Sequence, residues 1–192
     1  MNLQKTISKI EKYAQKHEKK SRYEHSKRVA AMCAELCTLF GMDSQLGYLA
    51  GIGHDICKNL PDKKMIKTAK KDGEGITDYE KKQTYLLHGR AASVKMNRKF
   101  KVKNKDVLQA VSVHVYAGIG ICDLAKILFI CDKAEPGRPF STDEYRAKLF
   151  KLSLNDMFIT ILKESHDYMI RKGYEIYPES LKVYDYYMGG NK

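Results

Sequence analysis

Histidine and carboxylate side chains carry the chemistry in this chain. His54 and Asp55 are adjacent and close an apolar, glycine-containing stretch, where burying a carboxylate is costly unless a cation or a hydrogen-bond donor compensates it. Imidazole nitrogen with carboxylate oxygen suits zinc, iron or manganese. His25, His88, His114 and Asp132 offer more groups of the same kind. Each sits among apolar neighbours rather than in a charged run: Tyr23 and Val29 flank His25, Leu86 and Leu87 precede His88, Val113 and Val115 enclose His114, and Ile130 precedes Asp132. One such histidine is ordinarily a satisfied core residue, but four of the six histidines at core-facing positions point to a shared site. His17 and His166 have polar neighbours and are expected on the surface.

Helices must bring these groups together. The first 20 residues place Leu3, Ile7, Ile10 and Tyr13 on one stripe and lysines elsewhere, a basic amphipathic helix. Ser21 and Glu24 have capping-box spacing for a second helix over about Arg22 to Phe40, stopped by Gly41. A third runs from Asp43 or Ser44 to about Lys58; its glycines at 47, 51 and 53 imply close packing on a neighbour. Pro61 opens a lysine-rich helix that breaks at Asp72 and Gly73, and a Thr77–Glu80 capping box precedes a long helix through His88. Further helices start at Asn104 and span Asp123 to Lys133; after the turn Glu135 to Pro139, helical segments reach Lys172 and stop at Gly173. A tyrosine-rich tail follows. No βαβ alternation, hairpin series or repeat is visible, so the expected class is an all-α compact bundle of about eight helices.

The remaining composition sets bounds. A chain of 192 residues fits one domain, 1–192, with its motif-bearing core at about 22–140 and the C-terminal helix and tail completing it. No stretch approaches the roughly 18 apolar residues of a membrane span, and no secretory signal is visible, so a cytoplasmic protein is expected. Five cysteines without CxxC spacing read as reduced packing residues. The net charge of +12 calls for an anionic partner.

The segments 22–29 (RYEHSKRV), 54–61 (HDICKNLP), 87–89 (LHG), 132–138 (DKAEPGR) and 172–178 (KGYEIYP), with His114 followed by Gly118, make the chain resemble the YqeK-type branch of HD-domain phosphohydrolases from Arg22 to Tyr187. The resemblance implies an HD-domain bundle that cuts diadenosine tetraphosphate symmetrically into two nucleoside diphosphates. It implies a divalent ion held by His25, His54, Asp55 and Asp132, iron ahead of manganese, zinc, cobalt or magnesium. His88 and His114 would then face a second ion or the phosphates, so the count is one or two. By the same resemblance Arg22, Lys58, His88, Gly89, His114, Arg138, Gly173, Ile176 and Pro178 line the substrate, and Asp55 and Lys58 act in catalysis. One departure is Val115-Tyr116-Ala117, where the family usually carries a threonine pair.

Four mixed ligands leave positions on an octahedral ion for water and a phosphate oxygen, and a coordinated water can ionise at a pKa of about 7, as with zinc. Arg138 suits a two-pronged grip on phosphate. Lys58, three residues beyond Asp55, reaches the same side of a helix or complements the helix dipole. The expected partner is thus a nucleotide or dinucleoside polyphosphate, with a homodimer allowed and no membrane. The rival readings are hydrolysis of another nucleotide phosphate ester and a basic RNA-binding module with structural histidines. The second lacks any recognisable RNA-binding motif.

Overall fold

The computed structural model describes residues 2–189, which form eleven α-helices and two short 3₁₀ turns, with no strand among the described residues. The helices are α1 (Leu3–His17), α2 (Lys20–Leu39), α3 (Ser44–Gly53), α4 (Asp62–Ala69), α5 (Asp78–Lys82), α6 (His88–Phe100), α7 (Lys105–Val113), α8 (Asp123–Ala134), α9 (Asp143–Leu149), α10 (Leu154–Arg171) and α11 (Pro178–Met188). The all-α expectation holds, and the helix count of about eight is corrected to eleven. The surplus comes from segments read as continuous that break, and from the C-terminal tail, which forms α11 after Pro178 at its first position.

The apolar α8 runs through the core, packed on α2, α3, α7 and α10. α2 and α3 lie together most closely. A Cβ at Gly47 would meet the Cys33 carbonyl at 2.6 Å, and one at Gly51 the Ala30 Cα at 2.5 Å, so these glycines let two backbones touch. α1 lays the Ile7–Ile10–Ala14 stripe on this pair and leaves its lysines in solvent. No helix among the described residues is long and apolar enough to cross a membrane.

Three expectations about element ends need correction. α2 starts at Lys20 with Lys19 as its cap and no side-chain cap bond, so the Ser21–Glu24 box does not form. α3 stops at Gly53 rather than near Lys58. Beyond it the His54 ring turns back to the Gly51 carbonyl (2.6 Å), and the chain tightens into turns closed by Lys58 N–H to Asp55 O and Leu60 N–H to Cys57 O. The Thr77–Glu80 capping box is present, yet its helix is only five residues long. Gln83 leaves helical geometry, the Thr84 hydroxyl is tied to Asp62 on α4, and a 3₁₀ turn delivers His88 as the first residue of α6 instead of a late residue of the preceding helix.

Candidate metal centre

The breaks and helix ends place every chemical group but His25 at or near a helix end. His25 lies on α2, His54 and Asp55 directly after α3, His88 at the start of α6, His114 just past α7, and Asp132 near the end of α8. All six are buried. Two sets of ligand atoms gather within 4.8 Å: His25, His54 and Asp55, and Asp55, His88 and His114. Asp55 belongs to both.

The imidazoles are held in a particular tautomer. Nδ1 of His54, His88 and His114 faces a backbone carbonyl three residues earlier (Gly51 at 2.6 Å, Tyr85 at 2.5 Å, Val111 at 2.8 Å). A carbonyl only accepts, so Nδ1 must donate and the neutral ring keeps its lone pair on Nε2. Burial pushes the pKa of His54 down and that of His114 down to about 3, which leaves both rings neutral. The Nε2 atoms of His88 and His114 nevertheless face each other at 3.0 Å, and His88 Nε2 lies 3.1 Å from Asp55 Oδ1. Nε2 of His54 and Oδ1 of Asp55 are buried with no hydrogen-bond partner. Lone pairs converging in a dry pocket are unfavourable unless a positive charge sits among them. The donor set, nitrogen plus carboxylate oxygen, is one that divalent transition ions accept.

Cations already flank the carboxylates. Arg22 Nη1 donates to Asp55 Oδ2 (2.8 Å), Lys133 Nζ to Asp132 Oδ2 (2.6 Å), and Arg138 Nη2 to the Asp132 carbonyl (2.6 Å) and Oδ1 (3.2 Å). Burial opposes ionisation of Asp55 and Asp132. The neighbouring histidine and lysine groups outweigh it, and both carboxyls lie well below their usual range. Lys58 Nζ stands 3.0 Å from His88 Nε2 and 3.9 Å from Asp55 Oδ1; burial lowers its pKa. Burial likewise opposes charge on His25, but the hydrogen bonds to Asp132 (3.1 Å) and Glu135 (3.0 Å) outweigh it and its pKa is raised.

A cleft of about 250 Å³ opens on His25 and is lined by Arg22, Arg28 and Arg138. Three guanidinium groups beside a metal-type cluster suit a chain of phosphates. Arg28 and Glu135 were not singled out by sequence reasoning, although both lie within the motif segments.

The other expected substrate residues are placed differently. Gly89 is buried in the seam between α6 and α7, where a Cβ would come within 2.8 Å of the Val111 and Ser112 carbonyls, so its absent side chain lets His88 and His114 approach. Gly173 ends α10 with φ 64°, Ile176 is half-buried, and Pro178 starts α11. None of these three has a hydrogen bond to the cluster among the described residues. Their segment approaches it through Tyr177, whose ring packs on Tyr79 and on Tyr116, two residues beyond His114. His17 is exposed, and His166 stacks on Tyr184 away from the cluster.

Comparison with known proteins agrees with this layout. The family model described as HD domain matches residues 22–137. A protein of Halalkalibacterium halodurans named "Bis(5'-nucleosyl)-tetraphosphatase, symmetrical" is 29% identical over 96% of both chains. A protein of Bacillus subtilis with the same name is 27% identical over the full length of both. A crystal structure from Clostridium acetobutylicum, described as a predicted HD superfamily hydrolase involved in NAD metabolism, superposes with a TM-score of 0.86 at 27% identity, covering 96% of this chain and 97% of that one.

Proposed function

The chain belongs to the HD domain family, and from that premise we propose that it is a metal-dependent hydrolase that splits a bis(5'-nucleosyl) tetraphosphate, such as diadenosine tetraphosphate, symmetrically into two nucleoside diphosphates. The observation that carries the reading is the convergence of imidazole Nε2 atoms and two carboxylates, with His54 Nε2 and Asp55 Oδ1 left without partners, beside an arginine-lined cleft. The symmetrical cut comes from the names of the full-length relatives.

His25, His54, Asp55 and Asp132 would hold a divalent ion, iron foremost. Bound there, such an ion supplies Lewis acidity to water and to phosphate oxygens. The protein does the rest by position and charge. Phosphoryl transfer asks for alignment and for stabilisation of charge on the transferred group and the leaving phosphate. Arg22 and Arg138 lie where they can leave their carboxylate partners for phosphate oxygens. Lys58, with its lowered pKa, stands beside Asp55 as an ammonium that stabilises the leaving diphosphate or passes it a proton. His88 and His114 present Nε2 to the reacting phosphate or to a second ion.

The test is elemental analysis of protein purified without chelators, followed by product analysis with diadenosine tetraphosphate. The expected result is bound divalent metal and ADP as sole product. AMP with ATP would overturn the symmetrical cut. An untouched tetraphosphate, where another nucleotide is hydrolysed, would move the activity to a different phosphate ester.

A further inference from the structure

The site histidines are not held alike. Three direct Nδ1 at a neutral backbone carbonyl, whereas His25 directs Nδ1 at the Glu135 carboxylate, 110 residues away in sequence. Glu135 is itself buried and clamped from the other side. Arg28 Nε and the Gly137 N–H both donate to its Oε2 at 2.5 Å, and Arg28 Nη2 donates to its Oε1 at 3.2 Å. The Arg28 guanidinium lies in the space that a Cβ at Gly137 would occupy, in contact with all three of its nearest atoms, so a glycine there makes the clamp possible.

We propose that Glu135 is the positioning residue of His25. By accepting the Nδ1 proton it fixes the ring with Nε2 facing Asp132 Oδ1, 3.1 Å away, so that Nε2 is the atom that would meet the ion in place of its proton; Arg28 and Gly137 fix the carboxylate. The proposal rests on the reading of His25 as a metal ligand. A carboxylate behind a ligating imidazole locks its tautomer and raises its basicity, which a carbonyl does less strongly. The contacts also bear on what a glutamine would do. The two shorter ones, from Arg28 Nε and the Gly137 N–H at 2.5 Å, favour the amide oxygen on their side, so the amide nitrogen gives up the longer Arg28 Nη2 contact at 3.2 Å and falls against His25. There it donates to Nδ1 and drives the ring proton onto Nε2, the atom the metal needs.

The experiment is zinc titration of the metal-free full-length protein for wild type, Glu135→Gln, His25→Ala and the double variant. Glu135→Gln is expected to weaken zinc binding about 10- to 100-fold. The double variant is expected to bind no more weakly than His25→Ala alone, because Glu135 acts through that ring. Nitrogen-detected imidazole spectra of zinc-loaded wild type are expected to show the His25 proton on Nδ1, a readout that requires no variant to fold. A proton on Nε2, additive losses, or unchanged zinc affinity in Glu135→Gln would each overturn the proposal while leaving the metal reading intact. Wild-type protein that takes up no zinc, iron or manganese would overturn both.

Discussion

Two buried charged networks in this chain have opposite designs. Arg90 on α6 uses each of its five N–H donors: Nε and Nη2 on Asp72, Nη1 on Glu80, and the remaining two on the Glu74 and Gly75 carbonyls. Glu80 Oε2 in turn accepts the Thr77 N–H. That network closes on itself and pins the loop 72–80 to the bundle. The His–Asp cluster, whose His88 lies two residues before Arg90, does not close: it ends in unpartnered nitrogen and oxygen atoms. Burial alone therefore does not mark a working site. A structural ion network satisfies every lone pair and proton, while a functional one leaves atoms for something that binds.

The largest expected effect falls on the open network. Asp55→Asn keeps the shape but removes the anion shared by both ligand sets; turnover should fall by at least about 10³-fold, about 4 kcal/mol in the barrier, and metal content should drop with it. Steady-state kinetics with elemental analysis check this. Arg90→Ala should do the reverse. Leaving the buried Glu80 carboxylate without its cation, and freeing the exposed Asp72, should cost about 3 kcal/mol of stability, seen as a large fall in Tm, while the protein that remains folded binds metal normally. If Asp55→Asn lowered the metal-free Tm more than Arg90→Ala, the contrast between the networks would collapse.

The sequence announced one of these networks and not the other. His54-Asp55 is local, and the apolar neighbours of His25, His88, His114 and Asp132 show which way they face, so the convergence of these buried side chains was legible. The segment from Glu135 to Pro139 reads only as a turn, because the role of Glu135 depends on two side chains of α2 more than 100 residues away, which spacing cannot encode. The helix breaks at His54 and Gln83 were hidden for a different reason: they follow from side-chain bonds that helical periodicity does not carry, the His54 ring on the Gly51 carbonyl and the Thr84 hydroxyl on Asp62 of α4. Gly89 illustrates a partial success, a motif glycine whose place is a helix seam.

Arg138 tests whether a cation at the open network is free to change partners. Unlike Arg90 it is about a third exposed, and it reaches Asp132 from the rim of the cleft. Arg138→Ala should raise KM for the tetraphosphate about 10-fold, about 1.4 kcal/mol, with a smaller change in kcat. A large Tm loss with unchanged KM would put Arg138 in the same class as Arg90.

Glu18 falls between the two designs. Its Oε2 accepts from the Ser26 hydroxyl at 3.2 Å, but its Oε1 is buried without a partner. Burial, then the nearby Asp55 charge, raises its pKa from 4.5 to about 7. The folded state therefore binds more protons than the unfolded chain between pH 4.5 and 7, so the stability linked to this group is full below about 4.5 and is lost as pH rises through 7. Glutamine mimics the protonated acid. In metal-free protein Glu18→Gln should gain about 1–2 kcal/mol over wild type at pH 8, after discounting for solvent at the partly exposed carboxyl, and nothing at pH 4.5. Thermal melts at the two pH values decide it. An equal Tm difference at both would mean that this carboxyl ionises freely, and that its missing partner, unlike that of Asp55, is supplied by water.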